Sequence, residues 1–338
     1  VGSSRDRGGQ MASANKPQLI KLAVGLAVLG LVMGAVALLP PSEHPTLLSE
    51  AFFDAGHVPM FMLFTLLVLQ LVRVTIPGSR ARRYLLAGTL VVFAGLGTEF
   101  VQKFGARDAG WTDFVRDLLG GGAALLLAMA FEQRRPFVKV VGALGALVLV
   151  GAGLAELVSV HLDYRARDAA FPLLAGFDAP WESRFVHGHD ADLVVMPAPS
   201  GWSGVAGTPS GRLDARVADY PSLSVREPFP DWRGHEALQF EVWSELANPV
   251  DVTVRIHDRH HNNGYSDRYN GGFRIEPGPN HISIPLELVR EAPQGRKLDL
   301  ANVAGLSVFL DHPGRPVRLW FSDFRLMANE ETMRDDAE

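Results

Sequence analysis

Leu22–Leu39, LAVGLAVLGLVMGAVALL, is an uninterrupted run of 18 uncharged residues. It approaches the ~20 residues that carry a helix across a bilayer. Lys16 and Lys21 precede it, as the basic start of a signal peptide would, but the run is long and further apolar segments follow directly. It is therefore read as the first of five spans, at about residues 18–40, 51–76, 84–104, 112–132 and 137–159. In the middle three the charge-free runs, Val58–Val72, Leu85–Thr98 and Leu118–Phe131, hold only 14 or 15 residues. Each must take ionisable residues into its end to cross.

The 338 residues carry 32 Lys+Arg and 37 Asp+Glu, with a mean hydropathy of only +0.10. Their distribution is more telling: residues 1–159 carry a net +4 and residues 160–338 a net −9. Charge asymmetry with apolar clustering in one half points to two solvents. A net negative domain argues against nucleic acid as a partner. With no cysteine, disulfides, thiolate metal sites and cysteine nucleophiles are excluded. Residues 1–10 are set aside as an upstream extension; residues 1–15 and the acidic tail 329–338 are expected to be disordered, and residues 160–176 a linker.

Short cytoplasmic loops are enriched in Lys and Arg. Lys16 and Lys21, then Arg73, Arg80, Arg82 and Arg83, then Arg134, Arg135 and Lys139 alternate along the chain accordingly. The expected topology is an integral protein of a bacterial inner membrane with a cytoplasmic N-terminus. Everything after Val160 then lies outside the cytoplasm, in the periplasm of a Gram-negative cell.

This topology puts the charges that shorten the middle spans at one depth. Asp54 and His57, Glu99 and Gln102, and Asp113 and Asp117 are paired at i,i+3 or i,i+4, so each pair shares a helix face. Arg107 lies between the third and fourth spans. Ionisable residues so placed face a bundle interior or cavity and pair with one another. Gly95, Gly97, Gly120, Gly121 and Gly122 allow close helix approach. Three readings stay open. Arg107, Lys103 and Arg116 neutralise the carboxylates as a structural staple; or Arg107 forks onto a headgroup or glycan phosphate while His57 with Asp54 or Glu99 exchanges protons; or His57 and the carboxylates hold a metal.

In order and spacing, Asp54-Ala-Gly-His57, Glu99-Phe-Val-Gln102, Arg107, Asp113-Phe-Val-Arg-Asp117 and Gly120-Gly121 resemble the VanZ-like family over about residues 51–130. Asp117 stands where that family more usually has Asn. The resemblance implies a cell-envelope role and a link to glycopeptide antibiotic susceptibility.

After Trp181, Gly and Pro punctuate short alternating runs. Val250, Val252, Val254 and Ile256 alternate with Asp251, Thr253, Arg255 and His257; one face is core, the other wet. Leu238–Trp243, His281–Leu286, Leu306–Leu310 and Val317–Ser322 behave similarly, which predicts an all-β sandwich or jelly roll over 177–328. Trp243, Arg255, His257, Tyr265, Arg268, Tyr269 and Asn270 are candidate sugar-binding residues, since sugars are held by aromatic faces ringed with hydrogen-bonding groups. His257, His260 and His261 are read as an exposed polar group rather than a metal site.

Asp231–Leu238, Tyr265–Asn270, Pro277–Asn280 and Phe321–Leu326 together resemble a carbohydrate-binding module of the galactose-binding-like jelly-roll type. That resemblance implies a structural calcium between Asp178 and Asp323, with oxygen ligands as calcium requires; no other cofactor is expected. The expected function is binding of an envelope glycan by the outer sandwich and of a lipid headgroup or lipid-linked precursor by the polar cluster. The alternatives are a membrane-embedded enzyme doing acid–base chemistry and a structural staple with a protein-binding outer domain.

Overall fold

The computed structural model describes residues 5–38, 45–102, 110–203 and 205–328; for 5–16, 33, 35–38, 99, 101 and 102 it describes the backbone alone. The chain divides into two units, Val1–His161 and Leu162–Glu338.

The first unit is helical: α1 (Arg5–Leu38), α2 (Leu47–Ala55), α3 (His57–Thr75), α4 (Arg80–Gln102), α5 (Trp111–Glu132) and α6 (Pro136–Ala170), whose last turns belong to the second unit. Thr46 starts α2, its hydroxyl accepting from Ser49 N–H while Ser49 Oγ accepts from Thr46 N–H. Among the described residues three stretches are long and apolar enough to cross a membrane: Leu47–Thr75, Trp111–Glu132 and Pro136–Ala170. Pro17–Val32 is a shorter apolar helix. Of the five expected spans, the first and third thus fall short on the described residues; α4 begins with Arg80, Arg82 and Arg83. Residues 5–15 and 160–170, expected as disordered start and linker, are helical.

Large apolar side chains of this unit face outward, including Phe93, Leu85, Leu147 and Val148, as lipid-facing residues would. Its interior is narrow because α5 approaches α3 and α4 through glycine. A Cβ on Gly120 would lie 2.4 Å from the Val58 carbonyl oxygen, and one on Gly121 2.6 Å from Val91 Cγ1. A backbone neighbour cannot swing aside, so Gly120→Ala is expected to force the helices apart at a cost of about 1–3 kcal/mol. Gly97→Ala, whose Cβ would meet nothing within 4 Å, serves as the control. Thermal midpoints in detergent should fall for the first and hold for the second; equal midpoints would contradict close packing at Gly120. At the far end of α3 and α5, Glu132 pairs with Arg73 and with Arg80 (3.0 Å) and accepts from Tyr84 Oη (3.0 Å).

Among its described residues the second unit holds eleven strands: β1 (Leu173–Ala175), β2 (Val186–His189), β3 (Ala191–Pro197), β4 (Pro209–Ala215), β5 (Ser222–Arg226), β6 (His235–Ser244), β7 (Val250–Asp258), β8 (Tyr269–Ile275), β9 (Gly278–Pro285), β10 (Val303–Phe309) and β11 (Val317–Ala328). Short helices α7 (Glu182–Phe185) and α8 (Leu286–Glu291) interrupt them. One sheet runs β3-β4-β11-β6-β9, with β1 added on β11; the other runs β2-β5-β10-β7-β8. All pairings are antiparallel. From β4 to β11 the chain switches sheets at every connection except the β7–β8 hairpin, which is the connectivity of a jelly roll. The expected sandwich is therefore present.

Its core follows from the alternation. Val252, Val254 and Ile256 of β7 meet Leu306 and Val308 of β10, which meet Val225 and Leu223 of β5. From the facing sheet come Leu238, Phe240, Val242, Phe321 and Phe324, with Phe240 and Phe324 stacked at 4.5 Å. Gly278 makes the turn into β9 with φ +84, a conformation costly for any residue with a Cβ.

Candidate glycan face and helical polar cluster

Residues directly opposite in an antiparallel pair share a face, so the registers of the second sheet define its outer surface. His187 of β2 stands opposite Ser224 of β5, Ser224 opposite Ser307 of β10, Ser307 opposite Arg255 of β7, and Arg255 opposite Asn270 of β8. One polar row thus crosses all five strands. Beside it run Ser222, Phe309, Thr253 and Gly272 on one flank, and Arg226, Gly305 and His257 on the other. Ser224 and Ser307 share a hydrogen bond of 2.8 Å between hydroxyls. Phe309 meets Tyr220 edge to face at 5.7 Å, and Tyr220 is 51% exposed. At the other end Tyr265 is 71% exposed and carries Arg268 over its ring at 5.5 Å.

Five of the seven sugar-binding candidates come together here. Asn270 accepts from Arg268 Nε at 3.0 Å and donates to the Tyr265 carbonyl at 2.9 Å; Arg255 and His257 adjoin them on β7. Tyr269 does not belong, since it faces the core opposite Ile256. Trp243 lies outward, but on the other sheet, where it packs with Trp202 at 6.2 Å beneath the segment around Gly201. Both are packing residues. Ser224, Ser307, Phe309 and Tyr220 were not singled out by the sequence reading, although the alternation of Leu306, Val308 and Leu310 already leaves Ser307 and Phe309 on the wet side.

Two polar atoms on this face stand out. Arg255 Nε and His257 Nδ1 are buried and have no hydrogen-bond partner among the described residues. A buried unpaired polar group costs about 1–3 kcal/mol. The His257 ring sits over Gly305, where a Cβ would come within 2.4 Å of its Cε1. Burial, and then Arg255 and His261 beside it, push His257 down to about 3, so its ring is neutral at neutral pH. Burial, reinforced by Arg268, also lowers Arg255. His261 is 4% exposed and bonded to the Asp267 carbonyl at 3.0 Å, while its Nε2 faces Arg255 Nη2 at 3.4 Å. His261 is thus buried rather than the exposed polar residue expected; His260 is exposed.

In the helical unit the structure joins Asp54, His57, Asp113 and Asp117. His57 Nδ1 lies 2.8 Å from Asp117 Oδ1 and its Nε2 3.9 Å from Asp113. Asp117 is fully buried and also accepts from Thr98 Oγ1 at 3.3 Å; Thr98 is a member the sequence reading missed. Arg116 Nη1 contacts Asp113 at 2.7 Å and Asp54 at 3.1 Å. Lys103 and Arg107 lie outside the described residues, as do the side chains of Glu99 and Gln102. Among the described residues the only arginine of this cluster is already shared by two carboxylates, which disfavours an anion at that point and makes Arg116 a strut.

Of the expected calcium pair, Asp323 accepts two bonds from Arg325, at 2.8 and 2.5 Å. Near the start of the domain it is Glu182, 3% exposed, that accepts from Gly176, Phe177 (3.0 Å) and Ala179 (2.9 Å) N–H groups. That carboxylate orders the loop around Asp178 directly. Among the described residues no group of three His, Asp or Glu could hold a metal.

No protein-family profile matches the sequence, and no curated protein sequence does. Among solved structures the β unit is similar to a family 11 carbohydrate-binding module from Clostridium thermocellum in complex with a β-1,3-1,4-mixed-linked tetrasaccharide: 14% identity, 46% of this chain and 94% of that one, TM-score 0.35. It is likewise similar to a family 30 carbohydrate-binding module of a cellulosomal cellulase of Clostridium thermocellum (15%, 47% and 97%, TM-score 0.35) and to an exo-β-agarase (15%, 46% and 25%, TM-score 0.38). The chain thus spans about a quarter of the agarase. The jelly-roll assignment itself stands on the strand order and registers of this chain.

Proposed function

We propose that this is a cell-envelope membrane protein whose sandwich binds a glycan on the outer face of the β2-β5-β10-β7-β8 sheet. The observation that carries the reading is the row His187–Ser224–Ser307–Arg255–Asn270 with buried, unpartnered Arg255 Nε and His257 Nδ1 beside it. Hydroxyls and an amide match sugar hydroxyls, and Phe309 with Tyr220 and Tyr265 supply aromatic faces at either end. Ser307→Trp would fill the middle of the row. The full chain in detergent should bind a subset of an envelope-glycan array, and Ser307→Trp should lose that signal at least ten-fold; no binding by the parent protein would leave a structural or protein-binding domain.

Five membrane spans with a cytoplasmic N-terminus and an extracytoplasmic sandwich complete the reading, supported by the alternation of cationic links and the outward apolar side chains. In this topology the helical cluster faces a headgroup or lipid-linked precursor through Arg107, and any VanZ-like effect on antibiotic susceptibility would arise there. A second reading is favoured by the His57–Asp117 contact. A buried carboxylate orienting an imidazole leaves the other ring nitrogen available for proton transfer, as an enzyme acting on an envelope lipid or glycan would need.

A further inference from the structure

The residues 160–338 carry a net −9, and most of their arginines are tied to carboxylates: Arg212 and Arg318 to Asp214, Arg216 to Asp192, Arg296 to Asp258 and Asp267, Arg325 to Asp323. Arg255 and Arg268 are exceptions. Neither has a carboxylate partner among the described residues: Arg268 bonds Asn270 and covers Tyr265, and Arg255 meets only His261. Asn270 brings the two together: it stands opposite Arg255 across the β7–β8 pair and accepts from Arg268 Nε at 3.0 Å, so two guanidinium groups share one patch of positive potential on an acidic domain.

We propose that the glycan face takes an acidic saccharide, with the carboxylate, sulfate or phosphate substituent of one sugar held between Arg255 and Arg268. The inference rests on the glycan reading of that face. Arg255 Nε is the donor whose missing acceptor the substituent supplies, and a planar guanidinium can present two parallel donors to such an oxyanion. His257, neutral and standing on Gly305, lies beside it, and its unpartnered Nδ1 faces the same need for a polar ligand. The ring of Tyr265, 71% exposed, offers a stacking surface for the sugar that carries the charge.

The test uses the full chain in detergent and matched pairs of probes: tetragalacturonate against its methyl ester, and a sulfated galactan tetrasaccharide against its desulfated form. The expected result is at least ten-fold tighter binding of one charged probe than of its neutral partner. That preference should shrink as salt is raised, and Arg255→Gln with Arg268→Gln should reduce it by ten-fold or more. Arg216→Gln, which removes the same charge from an exposed pair with Asp192, should leave it intact. Equal binding of charged and neutral partners, or a preference untouched by the double substitution in protein with an unaltered melting profile, overturns the acidic ligand while glycan binding stands. Absence of binding to every probe and to the glycan array overturns both.

Discussion

Replacing Arg296 by alanine is expected to destabilise the β unit by about 3 kcal/mol, toward the low end for loss of one partner of a buried ion pair because the arginine itself is partly open to solvent. Arg296 donates to both oxygens of Asp258, at 2.6 and 2.9 Å, and to Asp267 at 2.5 Å. The Asp258 carboxylate is 0% exposed, and one of its oxygens also accepts from Asp299 N–H at 2.7 Å. Three segments, the end of β7, the loop before β8 and the segment after α8, are thereby tied at one point. Five of the six tryptophans lie in this unit, so fluorescence-monitored denaturation of the full chain reads it. An unchanged midpoint would show that the three segments hold without the arginine.

The pH dependence follows with a definite sign. Burial raises Asp258, but the hydrogen bonds from Arg296, the Asp299 N–H and the His260 N–H, together with the charge of Arg296, outweigh it and leave it below the ordinary carboxylate value; Arg296 and the Asn262 N–H hold Asp267 down to about 2. Depressed carboxylates contribute stability that is complete above the unfolded value near 4 and is lost as pH falls toward 2. His257 adds a second loss: its folded value of about 3 lies below the unfolded value near 6.5, so the unfolded chain takes up that proton first. Stability should decline from about pH 6.5 downward and more steeply below 4. Arg296→Ala should flatten the lower step and leave the upper one.

The second large effect belongs to Asp117. Asp117→Ala removes the acceptor of both His57 and Thr98 from a fully buried position and is expected to cost the helical unit about 3 kcal/mol. Asp117→Asn keeps an oxygen there and should cost about 1 kcal/mol or less. Thermal midpoints in detergent separate the two. If Asp117→Ala melts like the parent, the cluster does not join the helices. If Asp117→Asn keeps the fold but fails to complement a strain lacking the protein, the contact serves chemistry rather than packing.

Much of the helical cluster was legible in the chain. The i,i+3 and i,i+4 spacings put Asp54 with His57 and Asp113 with Asp117, and the shortened apolar runs predict that the two pairs lie together; the structure brings all four together with Arg116 and Thr98. Thr98 was hidden because an uncharged hydroxyl leaves no gap in an apolar run. Arg116, one of the three cations that the staple reading sets against the carboxylates, shares its guanidinium between Asp54 and Asp113; which carboxylates it joins is visible only in the folded bundle.

On the glycan face the division is sharper. Alternation with period two by itself determined which side chains of each strand meet the core and which meet water, for β6 as well as for β7 and β10. It could not say which strands are neighbours, because the jelly roll sends successive strands to opposite sheets and hydrogen bonding across the sheet pairs segments some 50 to 80 residues apart, as at Arg255–Ser307 and Ser224–Ser307. Trp243 and Arg255 look alike in the chain, each outward on an alternating strand. Tertiary structure placed one under its own cover of tryptophan on the first sheet and the other, with no carboxylate partner among the described residues, beside His257, Arg268 and a row of hydroxyls on the second.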